Sequence, residues 1–319
     1  MKKHIIVIAY VLILAVFTAY VALDTFVITR VYGDSNSANP ITAETEQGGA
    51  ATGSAGSTTG ADSSADSDAA ESAVVTGDSY SDENISVELS EYTSNNTQIH
   101  VAEVTLSSPE YLQTYLAHGV YGKNVTEATS EMADDVDAIL AINGDYYGAR
   151  ESGYVIRGGE VYRNSADQGQ EDLVIYEDGS FGIINESDVT AEELVEDGVV
   201  QSLSFGPALV ENSEVAVAEG EEVGRAMASN PRTAIGIKDD GTYLFVVSDG
   251  RTDESEGLSL AELAEFMQSL GAETAYNLDG GGSSTMVFNG EVVNTPTGGK
   301  AGHGAGNERS VSDIVYIGY

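Results

Sequence analysis

Cysteine and tryptophan are both missing from the 319 residues. Without thiols there is no disulfide framework, no thiolate metal site and no cysteine nucleophile, and the redox compartment is left open. Without indole, an aromatic platform for a sugar ring has to come from the 17 tyrosines or 7 phenylalanines. Positive charge is scarce as well: 13 Lys and Arg stand against 52 Asp and Glu, a formal net charge of -39. Such a chain repels nucleic acid and anionic lipid, so no nucleic-acid partner is expected, and a phosphate-bearing ligand needs a locally basic pocket.

One long apolar run is present, at the start. Lys2 and Lys3 precede a stretch from Ile5 to Leu23, whose helix would be roughly 28 Å long at 1.5 Å per residue, close to a bilayer core. The lysines predict a cytoplasmic N-terminus, and no Ala-x-Ala spacing offers a cleavage site. Residues 1–32 are therefore expected to be a cytoplasmic start and an uncleaved transmembrane signal anchor, single-pass, with the remainder extracytoplasmic. From Gly33 to about Asp82 the composition turns to Ser, Gly, Ala, Thr, Asp and Glu, with neither Lys nor Arg. Residues 33–84 read as an acidic low-complexity linker, too poor in apolar side chains to fold, whose Ser and Thr also fit a glycosylated stalk.

From residue 85 to 319 the pattern becomes globular. It predicts an α+β domain, a largely antiparallel or mixed β core with a few packed helices. Ile99 to Leu106 alternates like a half-buried strand, His100 included; Pro109 looks like the first position of a helix; Val125 to Asp137 reads as an acidic helix leading into the strand Ala138 to Ile142. Hairpin turns are marked at Gly158-Gly159, Asp178-Gly179, Asp239-Asp240-Gly241 and Asn289-Gly290. One helix is well bounded: Ser259 and Glu262 form a capping-box pattern, Gly271 sits where a C-terminal cap belongs, and Leu260, Leu263, Ala264, Met267 and Leu270 line one face.

The stretch from Tyr276 to Val287 reads as strand, tight loop, strand, with Asp279 at the loop mouth followed by Gly280-Gly281-Gly282-Ser283-Ser284. An Asp-Gly turn does not require three glycines, whereas a loop against which a ligand lies closely benefits from bare amides. Two other strands end in Asn143-Gly144-Asp145 and Ser248-Asp249-Gly250-Arg251. The three loops are expected to wall one pocket.

Taken in order and spacing, Ala141-Ile142-Asn143-Gly144, Asn230-Pro231-Arg232-Thr233-Ala234-Ile235-Gly236 with Ser248 to Arg251, and Asn277 to Ser284 with Glu308-Arg309 resemble the phosphodiester glycosidase family. The resemblance runs from about Ile99 to the C-terminus. It implies an α+β domain that cleaves a sugar-1-phosphate diester at the sugar carbon, and kinship with bacterial members described as exopolysaccharide-related. One position departs from the family pattern: a second glycine often follows Asn-Gly, where this chain has Asp145.

Glycoside cleavage normally uses two carboxyl groups, but a phosphomonoester already leaves well, so charge stabilisation matters more than protonation. Asp279 is the expected reacting carboxylate, with Asp249 and Asp145 as alternates. Arg232 and Arg309 are candidates for holding the phosphate with paired donors. Asn143, Arg251, Gly280, Gly281, Gly282, Ser283, Ser284 and Glu308 complete the expected substrate-binding set. Plainer roles compete: Asp249 shaping a turn, Arg232 starting a surface strand, Arg309 pairing with Glu308 or Asp313, His303 sitting in a loop, Tyr146 and Tyr147 packing inward instead of stacking on a sugar. No cofactor is expected; Asp145, Asp249 and Asp279 gathering a cation such as calcium is the alternative, although their loops lack calcium-loop spacing. The expected function is that of a membrane-anchored extracytoplasmic glycosidase acting on a phosphodiester-linked sugar in a surface or extracellular glycopolymer. A non-catalytic glycan-binding or exopolysaccharide-assembly domain, and an enzyme breaking the P–O bond, are the other readings.

Overall fold

The strand Leu140–Asn143 is buried throughout, and its alternate side chains enter different cores, Leu140 and Ile142 in one, Ala141 in another. Asp313–Ile317 does the same, with Val315 and Ile317 on one side and Ile314 and Tyr316 on the other. Strands that are apolar on both faces need cover on both faces, each buried Val, Leu or Ile contributing about 1.5–3 kcal/mol. The computed structural model, which describes residues 2–34, 73–217, 229–298 and 306–319, shows where that cover comes from. Residues 35–72 of the expected linker, and His303, lie outside the described residues.

The two strands belong to a five-stranded sheet in the order Glu291–Val292, Met286–Phe288, Leu140–Asn143, Asp313–Ile317, Leu112–Leu116. Helix Thr129–Asp135 covers its outer face through Met132 and Ala133. Against its inner face lies a nine-stranded sheet ordered Glu214–Val215, Ala208–Glu211, Ala272–Asn277, Arg232–Lys238, Tyr243–Ser248, Thr97–Leu106, Ile85–Ser94, Ser79–Ser81, Val74–Val75. Ile235, Phe245, Val247 and Tyr276 point into the shared core, while Ala234, Leu244 and Val246 point outward to helix Leu260–Ser269. The layers are thus helix, sheet, sheet, helix. A three-stranded sheet of Phe181–Asn185, Glu171–Tyr176 and Val199–Leu203 closes the shared core at one side through Leu173, Ile175 and Leu203.

Every strand ladder described is antiparallel, which narrows the expected antiparallel or mixed core. Locally encoded features appear where they are marked. The Ser259 amide donates to Glu262 at 2.8 Å and the Ser259 hydroxyl accepts from the Glu262 amide at 3.2 Å, closing the capping box. Gly271 follows with φ +90°, and Asn289-Gly290 turns with φ +48° and +80°, both signs that a two-residue hairpin turn of this kind needs.

Three segments differ from expectation. Pro109–Tyr111 is a single 3-10 turn, because the chain from Leu112 onward is drawn into an edge strand beside Asp313–Ile317. The acidic helix shrinks to Thr129–Asp135, since Glu127 exchanges both backbone hydrogen bonds with Val311 instead of entering a helix. Val74–Val75 and Ser79–Ser81 extend the large sheet ahead of residue 85, held by Asp82, which accepts from the Asn84 and Ile85 amides and from the Tyr80 and Tyr319 hydroxyls.

Lys2–Phe26 forms one helix of 25 residues. Its described side chains, residues 11–24, are largely exposed, and among the described residues no helix is long and apolar enough to cross a membrane. Arg30–Asp34 follows and pairs with Val120–Lys123, joining this segment to the domain.

Candidate functional site

The shared core ends at Leu278, and the next residue is Asp279, 8% exposed. Asn143, at the end of its strand in the other sheet, pins this exit. Its Nδ2 donates to the Asp279 carbonyl at 2.6 Å, and its Oδ1 accepts from Thr233 Oγ1 at 2.8 Å and from the Thr285 amide at 3.2 Å. One side-chain amide therefore ties the loop to both sheets. The glycines that follow are required by close packing. A Cβ on Gly280 would lie 2.9 Å from the Pro231 carbonyl oxygen, one on Gly282 would lie 2.9 Å from Gly298 Cα, and Gly281 has φ +64°. The Gly281 amide, expected to face a ligand, instead donates to the Pro231 carbonyl at 2.7 Å.

At the loop mouth two donors converge on one carboxylate oxygen. Ser283 Oγ and Arg309 Nη2 each donate to Asp279 Oδ2 at 2.7 Å, and Arg309 Nε donates to Ser283 Oγ at 2.8 Å. Burial pushes the Asp279 carboxyl above its ordinary range; Arg309 and Ser283 oppose that shift without cancelling it. The Arg309 side chain is 43% exposed, so its guanidinium faces both the carboxylate and the solvent. A cleft of about 180 Å3 opens here, lined by Asn124, Thr126, Tyr146, Gly148, Ala149, Asp279, Arg309, Ser310, Val311 and Ser312. Among these lining residues Asp279 is the one carboxylate and Arg309 the one cation. Tyr146, 44% exposed, stands at the rim, whereas Tyr147 is buried and stacks on Tyr121 at 5.5 Å.

The model of a family described as phosphodiester glycosidase matches residues 137–318, which include Asp279, Ser283 and Arg309. The chain belongs to the phosphodiester glycosidase family. It is 30% identical over 206 residues to the SPbeta prophage-derived uncharacterized protein YomE of Bacillus subtilis (strain 168), covering 62% of this chain and 31% of that one. The N-acetylglucosamine-1-phosphodiester alpha-N-acetylglucosaminidase of Bos taurus is 30% identical over 181 residues, 52% of this chain and 34% of the enzyme. The enzyme of the same name in Mus musculus is 44% identical over 66 residues, 21% and 13%. The chain thus spans about a third or less of the length of these curated relatives. In fold it is similar to the zebrafish enzyme's catalytic domain, auto-inhibited by its pro-peptide, with a TM-score of 0.59 at 23% identity over 73% of this chain and 82% of that one. A hypothetical protein from Synechocystis gives 0.53 at 16%, covering 74% and 62%.

Within this phosphodiester glycosidase domain the other sequence candidates are not among the residues that line this cleft. Asp249 Oδ1 accepts from Asn294 Nδ2 at 3.2 Å and from the Thr295 amide at 2.8 Å, and its Oδ2 lies 3.6 Å from His100 Nε2. Burial alone would raise its carboxyl, but His100 and the Thr295 amide outweigh burial and hold it below the ordinary range. Asn294 also donates to the Ser284 carbonyl at 3.0 Å, so Asp249 steadies the backbone after the glycines. Arg232 is buried, its Nε donating to the Leu258 carbonyl at 2.8 Å. Arg251 Nη2 donates to Asn230 Oδ1 at 2.9 Å and lies over Gly281. Glu308 accepts from the Ser130 hydroxyl at 2.5 Å and the Ser130 amide at 3.0 Å, satisfying an unpaired amide in the first turn of helix Thr129–Asp135 and fixing the residue beside Arg309. Ser284 Oγ is buried without a partner. Asp145, Asp249 and Asp279 have separate partners, and among the described residues no three His, Asp or Glu side chains gather to hold a metal.

Asp145 belongs to a network that sequence reasoning missed. Arg157 Nη2 reaches Asp145 Oδ2 at 3.3 Å and Asp313 Oδ2 at 2.6 Å, all three buried, and Asp145 also accepts from the Tyr147 and Ser204 amides at 2.8 and 3.0 Å. The one visible signal was an arginine ending the apolar run Val155-Ile156. Burial, then the neighbouring Asp145, pushes the Asp313 carboxyl up to about 8 against the pull of Arg157. The ordinary value is 3.8, so the folded state holds this proton more tightly than the unfolded chain. The stability that follows is complete below about pH 4 and is lost as pH rises towards 8. Asp313→Asn should therefore show a smaller fall in melting temperature between pH 6 and 8 than the parent, a window in which ordinary carboxylates no longer titrate; thermal melts across that range check it.

Proposed function

We propose that this domain is itself a hydrolase that cleaves the bond between the anomeric carbon of a sugar and the oxygen of a phosphodiester. The observation that carries the reading is the meeting of Asp279 and Arg309 in one cleft. A diester of single negative charge becomes a monoester carrying more charge as the C1–O bond breaks, and the solvent-facing side of the Arg309 guanidinium offers paired donors to those oxygens. Asp279 then takes a proton from the attacking water. The water oxygen bonds to C1, and the electron pair of the breaking bond leaves on the phosphate. A carboxyl raised by burial is a stronger base once ionised than an ordinary aspartate. Ser283, bonded to both partners, orients the pair. That a single carboxylate lines the cleft agrees with a leaving group that needs no acid.

N-acetylglucosamine-1-phosphate diesters are the first substrates to test, being what the mammalian relatives are named for. The natural substrate in this reading is a surface or extracellular glycopolymer, with the domain held at the outer face of a membrane. Lys2, Lys3 and the exposed apolar side chains Ile13, Val16 and Phe17 of the first helix support that tether. Hydrolysis of a panel of sugar-1-phosphate diesters in 18O-water is the test. Label should appear on the sugar. Label in the phosphate means P–O cleavage and rejects the mechanism; no turnover across a panel that nevertheless binds leaves a glycan-binding domain.

A further inference from the structure

A second cleft of about 200 Å3 adjoins the first, and Gly148 lines both. A Cβ on Gly148 would run into Ser312 Oγ, so the partition at this point is bare backbone. The second cleft is walled by Tyr32, Tyr121, Lys123, Arg150, Glu151 and Arg163, among others. Three of the chain's 13 cations meet here against one carboxylate, in a molecule whose net charge is -39.

These cations are not solvated surface charges. Lys123 is 7% exposed, and Arg150 and Arg163 are partly buried. Carbonyls and an amide hold the two arginines in place: Arg163 Nη1 donates to the Tyr147 and Arg150 carbonyls at 3.0 and 2.8 Å, and Arg150 Nη1 donates to Gln170 Oε1 at 3.2 Å and the Ser204 carbonyl at 3.3 Å. Arg163 Nη2 is buried without a hydrogen-bond partner. Neutral acceptors position a guanidinium without cancelling its charge, and desolvated positive charge left uncompensated favours an anion. The one acid, Glu151, pairs with Lys123 but is 75% exposed, so solvent screens it. Tyr121 supplies an aromatic wall, with Tyr32 at 5.8 Å and Tyr162 at 5.3 Å from its ring.

We propose that this cleft is a second glycan subsite, taking an oxyanion, phosphate or carboxylate, borne on a sugar unit adjacent to the one cleaved. The substrate is then an anionic polymer read over more than one unit. The position of this unit relative to the scissile bond rests on the reading of the first cleft; the binding of the anion does not.

Calorimetry on the full chain tests it with three probes: a neutral N-acetylglucosamine trisaccharide, the same with a phosphate on the middle ring, and the same with a middle uronate. At least one anionic probe should bind about tenfold tighter than the neutral one, the scale of one hydrogen bond between charged partners. Lys123→Gln should remove about tenfold of that preference. Glu151→Gln, which removes the one exposed acid beside the cleft, should increase it about threefold. A preference for the phosphate or for the uronate identifies the oxyanion. Equal affinity for all three probes, or a preference that neither substitution moves, overturns the proposal. Diester hydrolysis is read separately, so its absence rejects the reading of the first cleft without touching this one.

Discussion

Asparagine at position 279 should lower kcat for a sugar-1-phosphate diester by about 10^3-fold, within the range of roughly 10^2–10^4 that a positioned base supplies. The replacement is nearly isosteric, and its carbonyl oxygen can still accept from Ser283 and Arg309 where Asp279 Oδ2 does. What it loses is the ability to take a proton. Because burial already disfavours the ionised carboxyl, the neutral amide should leave the melting temperature unchanged or slightly higher. Kinetics on one short diester, with thermal melts of both proteins, separates chemistry from folding. A variant that keeps wild-type kcat removes Asp279 from the mechanism, and the cleft then holds no other carboxylate to replace it.

The largest effect on stability should come from Arg157→Met. This guanidinium is buried between Asp145 and Asp313, and removing one side of a buried charge network leaves the rest uncompensated, costing about 3–5 kcal/mol. For a domain of this size that corresponds to a fall in melting temperature on the order of 10 °C. Adding Asp145→Asn to the methionine variant should recover part of the loss, because the two positions share one contact and their effects cannot add. Urea unfolding of the single and double variants measures both quantities. A cost below about 1 kcal/mol would mean that the pair contributes no more than an exposed one.

How well the sequence could be read depended on distance along the chain. The capping box of Ser259 and Glu262 spans three residues, and the hairpin turns are made by two or three, so local chemistry is enough to locate them. The helix expected over Val125 to Asp137 was cut short by Val311, whose pairing with Glu127 no local pattern announces. Arg157 ends a strand as expected, but its aspartates went unseen because one lies 12 residues away and the other 156. The glycines after Asp279 were expected to let a ligand approach closely, whereas what approaches Gly280 and Gly282 in the structure is the chain itself, at Pro231 and Gly298.

By itself, then, the sequence determined the family, the α+β class and the position of the Asp279 loop at the end of a strand, since these rest on motif order, periodicity and turn chemistry. It also offered three aspartates in similar settings, Asp145, Asp249 and Asp279, with nothing to rank them beyond the motif around each. Only the tertiary structure gave each of them different surroundings. Asp145 is closed over by Arg157, Asp249 is turned towards Asn294 and Thr295, and Asp279 lines a cleft with an arginine 30 residues further on. What surrounds each carboxylate is set by how two sheets stack and where their loops leave the core, a property of the packed chain that no short stretch of it contains.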